Sequence, residues 1–371
     1  MGKQVKTPRF YVDIPTFLHA TGQLDWDLSK GGAELLYMNC SNPVMREQGT
    51  TNSMFIIGGQ QNNVAKTSFP INFCALLNHN LASDTLLPQI KGYDTTIGSE
   101  VNLTHNDNFE AIILNAERSG NKLEPTYNGT SIWQVGTGDR LNPTPINATW
   151  NEFKALYTGG YTDTINHQLG SLVVGKYFDC PNSPDLNLTM SRRFDGIKKQ
   201  KTIGGKTLAN IYYDGPTEWT MNNADGTTYK YPPFELDTTD NAEFDQRVKS
   251  GIGRKGLRSW NLTFSYIAES DMWIDNEVSN NIISDSEDPD PTSPTPIFSD
   301  DSFNFVWNCT LGGTLPFIFQ PDADKRVGNN MVDGNNNPDQ FAICNFRENT
   351  FSVQQVAFNT YSVSMTIDEL A

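Results

Sequence analysis

Trp260-Asn261-Leu262-Thr263-Phe264-Ser265-Tyr266 sets a large apolar or aromatic side chain at every second position. Successive side chains of a strand point to opposite faces, so this period of two describes a sheet with one face packed and the other wetted. Phe303-Asn304-Phe305-Val306-Trp307-Asn308-Cys309 reads the same way, and Tyr361-Ser362-Val363-Ser364-Met365-Thr366-Ile367 repeats the pattern. The region 258–371 therefore predicts a run of alternating strands.

Moving outward, Arg9-Phe10-Tyr11-Val12-Asp13-Ile14 predicts a strand ended by Pro15. Short apolar segments follow at 35–38, 54–57, 73–77, 111–114, 132–135 and 171–174, each bounded by Gly, Asn, Asp or Pro. Short strands punctuated by turn residues favour an antiparallel sandwich or jelly roll over a helix-covered parallel sheet. A helix is expected only over 149–156, with Thr149 or Asn151 as its cap. The turn-rich Tyr177-Phe178-Asp179-Cys180-Pro181 divides an expected first sandwich domain, 1–178, from a second β-rich domain, 179–371. Beyond it lie an alternating strand at 186–190 and a basic stretch holding Arg192, Arg193, Lys198, Lys199, Lys201 and Lys206. Segment 280–301 is acidic and proline-rich, with Asp285, Glu287, Asp288 and Asp290 close together. It is expected to be a long exposed excursion between strands.

The 371 residues suffice for two ordinary domains. A net charge of −16 disfavours nucleic acid and anionic membranes as partners. The polar, basic opening residues are not those of a signal peptide, and no apolar run reaches the ~18 residues of a membrane span. Five cysteines, Cys40, Cys74, Cys180, Cys309 and Cys344, fit neither a disulfide framework nor a metal knuckle, so buried thiols and folding in a reducing cytoplasm are expected.

Motifs that carry chemistry are weak. Gly204-Gly205-Lys206-Thr207 imitates the end of a phosphate-binding loop, but Gln200 stands where the leading glycine belongs. A Gly-Gly turn between two strands is the better reading. His19, His79, His105 and His167 lie far apart, and no Gly-x-Ser-x-Gly elbow occurs. The Asp-rich stretches 237–245 and 322–324 lack the ligand spacing of a calcium loop. No catalytic group, cofactor or metal is expected from this pattern. Two features remain. Trp133 and Trp150 are candidates to stack on sugar rings, as aromatics near loops do, although aromatics of a sandwich more often fill its core. Arg192, Arg193, Lys198 and Lys199 are candidates for an assembly contact with Asp285, Glu287, Asp288 and Asp290 of another copy. A solvated hairpin or an intramolecular pairing is the plain alternative.

Two sets of residues carry a resemblance. Ile71-Asn72-Phe73-Cys74-Ala75-Leu76-Leu77-Asn78-His79-Asn80-Leu81-Ala82-Ser83 and Leu169-Gly170-Ser171-Leu172-Val173-Val174-Gly175 resemble segments of discoidin-like β-sandwich domains of virion proteins. Ser183 to Met190, Arg193-Phe194-Asp195-Gly196, Arg258 to Ser265, Gly313 to Pro321 and Phe341-Ala342-Ile343-Cys344 are similar to segments of structural proteins of marine tailed bacteriophages, the second half to minor tail and tail-tip proteins. The resemblance implies a non-enzymatic virion component, folded in the bacterial host cytoplasm and placed at the tail or its distal tip. It would form a homo-oligomeric ring with other virion proteins as neighbours. Capsid decoration, a neck role, or attachment to a host surface glycan are the alternatives.

Overall fold

A computed structural model describes residues 7–23, 32–40, 44–46, 53–58, 68–79, 88–103, 112–114, 116–119, 122–125, 129–139, 142–157, 167–193, 195–214, 219–222, 228–231, 256–273, 296–299, 301–323 and 341–370. Strands dominate it. The strands used below are β1 (Arg9–Asp13), β2 (Ser53–Gly58), β3 (Ser68–Ile71), β4 (Phe73–His79), β5 (Pro88–Asp94), β6 (Ser99–Asn102), β7 (Ile112–Leu114), β8 (Gly129–Gln134), β9 (Ile146–Tyr157) and β10 (Ser171–Asp179). They continue as β11 (Thr189–Arg193), β12 (Asp195–Lys201), β13 (Thr207–Asp214), β14 (Leu257–Ala268), β15 (Phe317–Gln320), β16 (Ala342–Phe346), β17 (Val353–Ala357) and β18 (Thr360–Glu369). The helices are short: α1 (Ile14–Ala20), α2 (Glu269–Met272), α3 (Pro296–Ser299) and α4 (Phe303–Cys309).

Eleven strands form one antiparallel sheet in the order β11-β14-β18-β16-β15-β1-β10-β4-β8-β7, with β17 added on β18. A second sheet of five runs β2-β9-β5-β6, with β3 also paired to β9. The all-β expectation therefore holds, with large antiparallel sheets and few helices. Phe10, Leu76, Leu172, Trp260, Phe319 and Ile367 of the large sheet share one core with Phe55, Phe69, Ile90 and Phe153 of the smaller one and with Phe17, Phe298 and Phe305 of the helices.

The middle of the large sheet is buried on both faces. Phe10 and Val12 enter the main core while Tyr11 between them enters a second cluster with Phe73, Ala75, Leu77, Ile132, Val173 and Ile318. Strands covered on both sides read as continuous apolar runs, as Phe73-Cys74-Ala75-Leu76-Leu77 does. The outer strands keep one wetted face: along β14, Leu262 and Phe264 are buried while Asn261 is exposed.

The large sheet and its core continue across the boundary expected at 177–181. β1 pairs with β10 on one side and β15 on the other. The Phe10 ring lies 5.5, 5.2 and 6.0 Å from those of Phe317, Phe319 and Phe346. Segments 1–178 and 179–371 thus build one sheet together.

Four local expectations are corrected. Residues 149–156 form part of strand β9, not a helix, because partners on both sides satisfy its backbone and bury Trp150, Phe153 and Ala155. Residues 303–309 form helix α4, not a strand. Ser302 Oγ accepts from Phe305 N at 3.2 Å, a helix N-cap, and Phe303, Val306 and Cys309 fall on the buried side at helical spacing. The segment 35–38 is also no strand: it ends a 3₁₀ turn, with Tyr37 and Met38 at φ 63° and 50°. At 186–190 strand structure begins only at Thr189.

All five cysteines are buried, and burial pushes the thiols of Cys180 and Cys309 up. Arg258 and Glu369 form a buried ion pair between β14 and β18. Arg258 Nε reaches Glu369 Oε2 at 3.0 Å, its backbone N–H donates to the same oxygen at 2.9 Å, and Nη2 donates to the Phe341 carbonyl at 2.5 Å. Removing one partner of a buried pair leaves an uncompensated charge. Arg258→Leu is expected to cost about 3–5 kcal/mol in urea denaturation, and adding Glu369→Leu should recover part of the loss.

Two buried titratable groups oppose each other. Burial, countered by hydrogen bonds from Thr16 and Val174, raises the Asp13 carboxyl to about 7, and burial lowers the His79 imidazole to about 3. The folded chain keeps the Asp13 proton that an unfolded chain loses near pH 3.9, so stability falls as pH rises from about 4 to 7. Unfolded His79 takes up a proton below about pH 6.5 that the fold refuses, so stability falls as pH drops from there toward 3. Each contributes about 1.4 kcal/mol per pH unit, with opposite sign, over their shared window. Asp13→Asn is expected to lose more stability than the parent between pH 6.5 and 4, and His79→Gln to gain over that interval; urea midpoints at a series of pH values report both.

Candidate assembly surface

Strand β11 ends the large sheet, and its five residues are all exposed. Among the described strands it pairs with β14, in register from Thr189 opposite Asn261 to Arg193 opposite Leu257. The loop before it is fixed to β14: Asp185 N donates to the Thr263 carbonyl and Ser265 Oγ donates to Asp185 Oδ2, each at 2.8 Å. Leu186 on this loop is fully exposed. Nearby, Tyr266 is 77% exposed because β14 carries a register irregularity there and Tyr266 adopts φ 62°. A non-glycine residue with positive φ is uncommon, and here it takes a ring out of the alternation and into water. Phe358, at the turn between β17 and β18, is 89% exposed.

After β11 the chain runs into the hairpin β12–β13. Its register pairs Lys198 with Asn210, Lys199 with Ala209, Gln200 with Leu208 and Lys201 with Thr207. The turn is closed by Thr202 N donating to the Lys206 carbonyl at 2.8 Å and Gly205 N donating to the Thr202 carbonyl at 2.9 Å. Gly205 takes φ 79°, which glycine adopts without strain. The Gly-Gly turn read from the sequence is thus present. Every residue from 199 to 209 is exposed, Ile203 at the tip completely so. Lys199 and Lys201 share one face of the hairpin; Leu208, opposite Gln200, belongs to the other.

Arg192 and Arg193 lie on this edge strand and Lys199 on the hairpin that follows it in the chain, all three exposed, with Lys198 at its register position on the same hairpin. Arg193 acts electrostatically on Asp368, across β14. Burial raises the Asp368 carboxyl, but hydrogen bonds from Arg347 and Ser259 and the charges of Arg347 and Arg193 outweigh it and hold the group below its usual range. Asp285, Glu287, Asp288 and Asp290 lie outside the described residues.

The glycan candidates are corrected. Trp133 lies in β8 and Trp150 in β9, and both are fully buried. Trp150 Nε1 donates to the Phe69 carbonyl at 3.0 Å, and its ring sits 5.4 Å from that of Phe153. Gly92 passes so close that an added Cβ would stand 2.5 Å from the Trp150 ring. Neither indole presents a face to a sugar. The exposed apolar groups Leu186, Ile203, Tyr266 and Phe358 escape a reading of alternation. Only the adjoining Gly-Gly turn marks Ile203 in advance.

Among the described residues no three His, Cys, Asp or Glu side chains come together as a metal site, and no helix is long and apolar enough to cross a membrane. No protein-family model, curated protein or solved structure gives a significant match to the chain.

Buried and exposed apolar residues should respond oppositely to truncation. Trp133→Ala or Trp150→Ala is expected to cost about 3–5 kcal/mol. Ile203→Ser should stay within about 0.5 kcal/mol of the parent in the same denaturation experiment.

Proposed function

We propose that this chain is a structural component of a tailed-phage virion, placed in the tail or its distal tip and acting through contacts between subunits. The observation that carries the reading is the form of the large sheet: a wide antiparallel body ending in a wholly exposed strand, β11, followed in the chain by the hairpin β12–β13, which is exposed over 199–209. An exposed edge strand is a template for pairing with another chain, and isolated proteins usually blunt or cover it. Here exposed Leu186, Tyr266 and Phe358 stand on the same part of the sheet. Such a surface suits stable association more than it suits a free monomer. The sequence resemblance supplies the virion setting, and the fold is compatible with it.

A glycan-binding role for the N-terminal strands loses its two aromatic candidates, since Trp133 and Trp150 belong to the core. Mass spectrometry of purified particles from the encoding phage should detect the chain, and gold-labelled antibody should cluster at the tail end. Label spread over the head would move the protein to capsid decoration, and absence from particles would refute the virion reading.

A further inference from the structure

We infer that the hairpin β12–β13 is a connecting arm that binds the acidic surface of a second copy of this chain in a head-to-tail contact. The inference rests on the assembly reading above and names the partner of that surface.

Charge points to the partner. Residues 189–214 hold six basic and two acidic side chains, a net of +4, within a chain of net −16, so the remainder carries −20. A cationic arm on an anionic body is attracted to another such body, and complementary potentials of this kind steer association and fix its register. Lys199, Lys201 and Lys206 are all exposed and lie around the distal half of the arm, where they can reach a neighbour.

Shape agrees with charge. At about 3.3 Å per residue, a seven-residue strand such as β12 projects roughly 20 Å. A two-stranded hairpin is at best marginally stable by itself in water. This one presents Ile203 at its tip and half-exposed Leu208 on its flank, apolar groups that a docking partner would cover.

The same charges select the symmetry. Pairing β11 with β11 of another copy around a two-fold axis would bring two sets of Arg192 and Arg193 together, and the arms would repel likewise. An arm meeting the neighbour's acidic body avoids this. Such a contact uses different surfaces on the two copies, so it propagates into a ring if the rotation closes and into a filament if it does not.

The test uses the purified full-length chain in sedimentation velocity over a concentration series, at about 0.05 M and about 0.5 M salt. Oligomers that dissociate at the higher salt are expected. Lys199→Glu/Lys201→Glu/Lys206→Glu should weaken association at least about tenfold, with the corresponding triple Gln variant falling between. Circular dichroism melts matching the parent would show that these exposed substitutions leave the body folded. A tagged triple Glu variant mixed with the parent should still be captured into oligomers, because its own acidic surface remains able to receive a parent arm. A chain that stays monomeric under all conditions would overturn the inference, as would association indifferent to arm charge, or exclusion of the variant from mixed oligomers. Detection in particles is a separate measurement: a virion protein that is monomeric in isolation defeats the arm and leaves the virion reading, and an arm-dependent oligomer absent from particles does the reverse.

Discussion

The fold depends on the two-sided pairing of β1. Its backbone is bonded to β10 along one edge and to β15 along the other, and its side chains are buried on both faces. The seam with β10 is close: a Cβ on Gly175 would stand 2.0 Å from the Val12 carbonyl oxygen, so the strands can approach this way only with glycine there. Arg9 fastens the outer end, with Nε and Nη2 donating to the two Asp179 carboxylate oxygens at 2.6 and 2.9 Å and its guanidinium 4.0 Å from the Tyr177 ring centre. Such a bidentate, stacked pair is more ordered than an ordinary surface ion pair. At the inner end, Thr16 Oγ1 donates to Asp13 Oδ2 at 2.5 Å, where the strand turns into α1. Without β1, the halves of the large sheet would be two sheets, each with an apolar edge.

From this centre outward the sheet changes character. Burial on both faces gives way, toward β14 and β18, to one packed and one wetted face, and then to the wholly exposed β11. Charge follows the same gradient. Arg258 and Glu369 are enclosed and mutually satisfied. Arg347 and Asp368, nearer the surface, form a pair at 2.8 Å, and beyond them the cations outnumber the anions. Buried pairing is thus concentrated at the middle of the sheet and exposed charge at its β11 end.

The parts legible in the sequence are those in which local pattern and long-range structure agree. Trp260-Asn261-Leu262-Thr263-Phe264 alternates because β14 has one face in the core, and the turn at Gly204 and Gly205 announces itself by composition. Phe303, Phe305 and Trp307 alternate too, yet they belong to a helix. In so short a run period two and period 3.6 overlap, and the Ser302 cap was the deciding signal. Residues 149–156 show the converse, a helix-compatible composition overridden by partner strands on both sides. The burial of Trp133 and Trp150 depended on which strands flank them, information spread along the chain. The basic stretch was visible as a run of Arg and Lys; that it would form the last strand in the order of the large sheet and then a hairpin followed only from the topology.

The pairing of β1 also sets a timetable. Its partners lie at 171–179 and 317–320, so the middle of the large sheet is assembled from segments that leave the ribosome far apart in time. At roughly 5–20 residues per second, translation from β1 to β15 takes on the order of tens of seconds. Until then Phe10, Tyr11 and Val12 have an unoccupied edge beside them, and contacts of such sequence separation form slowly. The chain therefore spends its synthesis with its most apolar seam open, and nascent copies crowded on one message are each other's nearest wrong partners. The bidentate clasp of Arg9 on Asp179, complete once β10 has emerged, gives the growing chain an early intramolecular claim on β1 before β15 arrives to close the sheet.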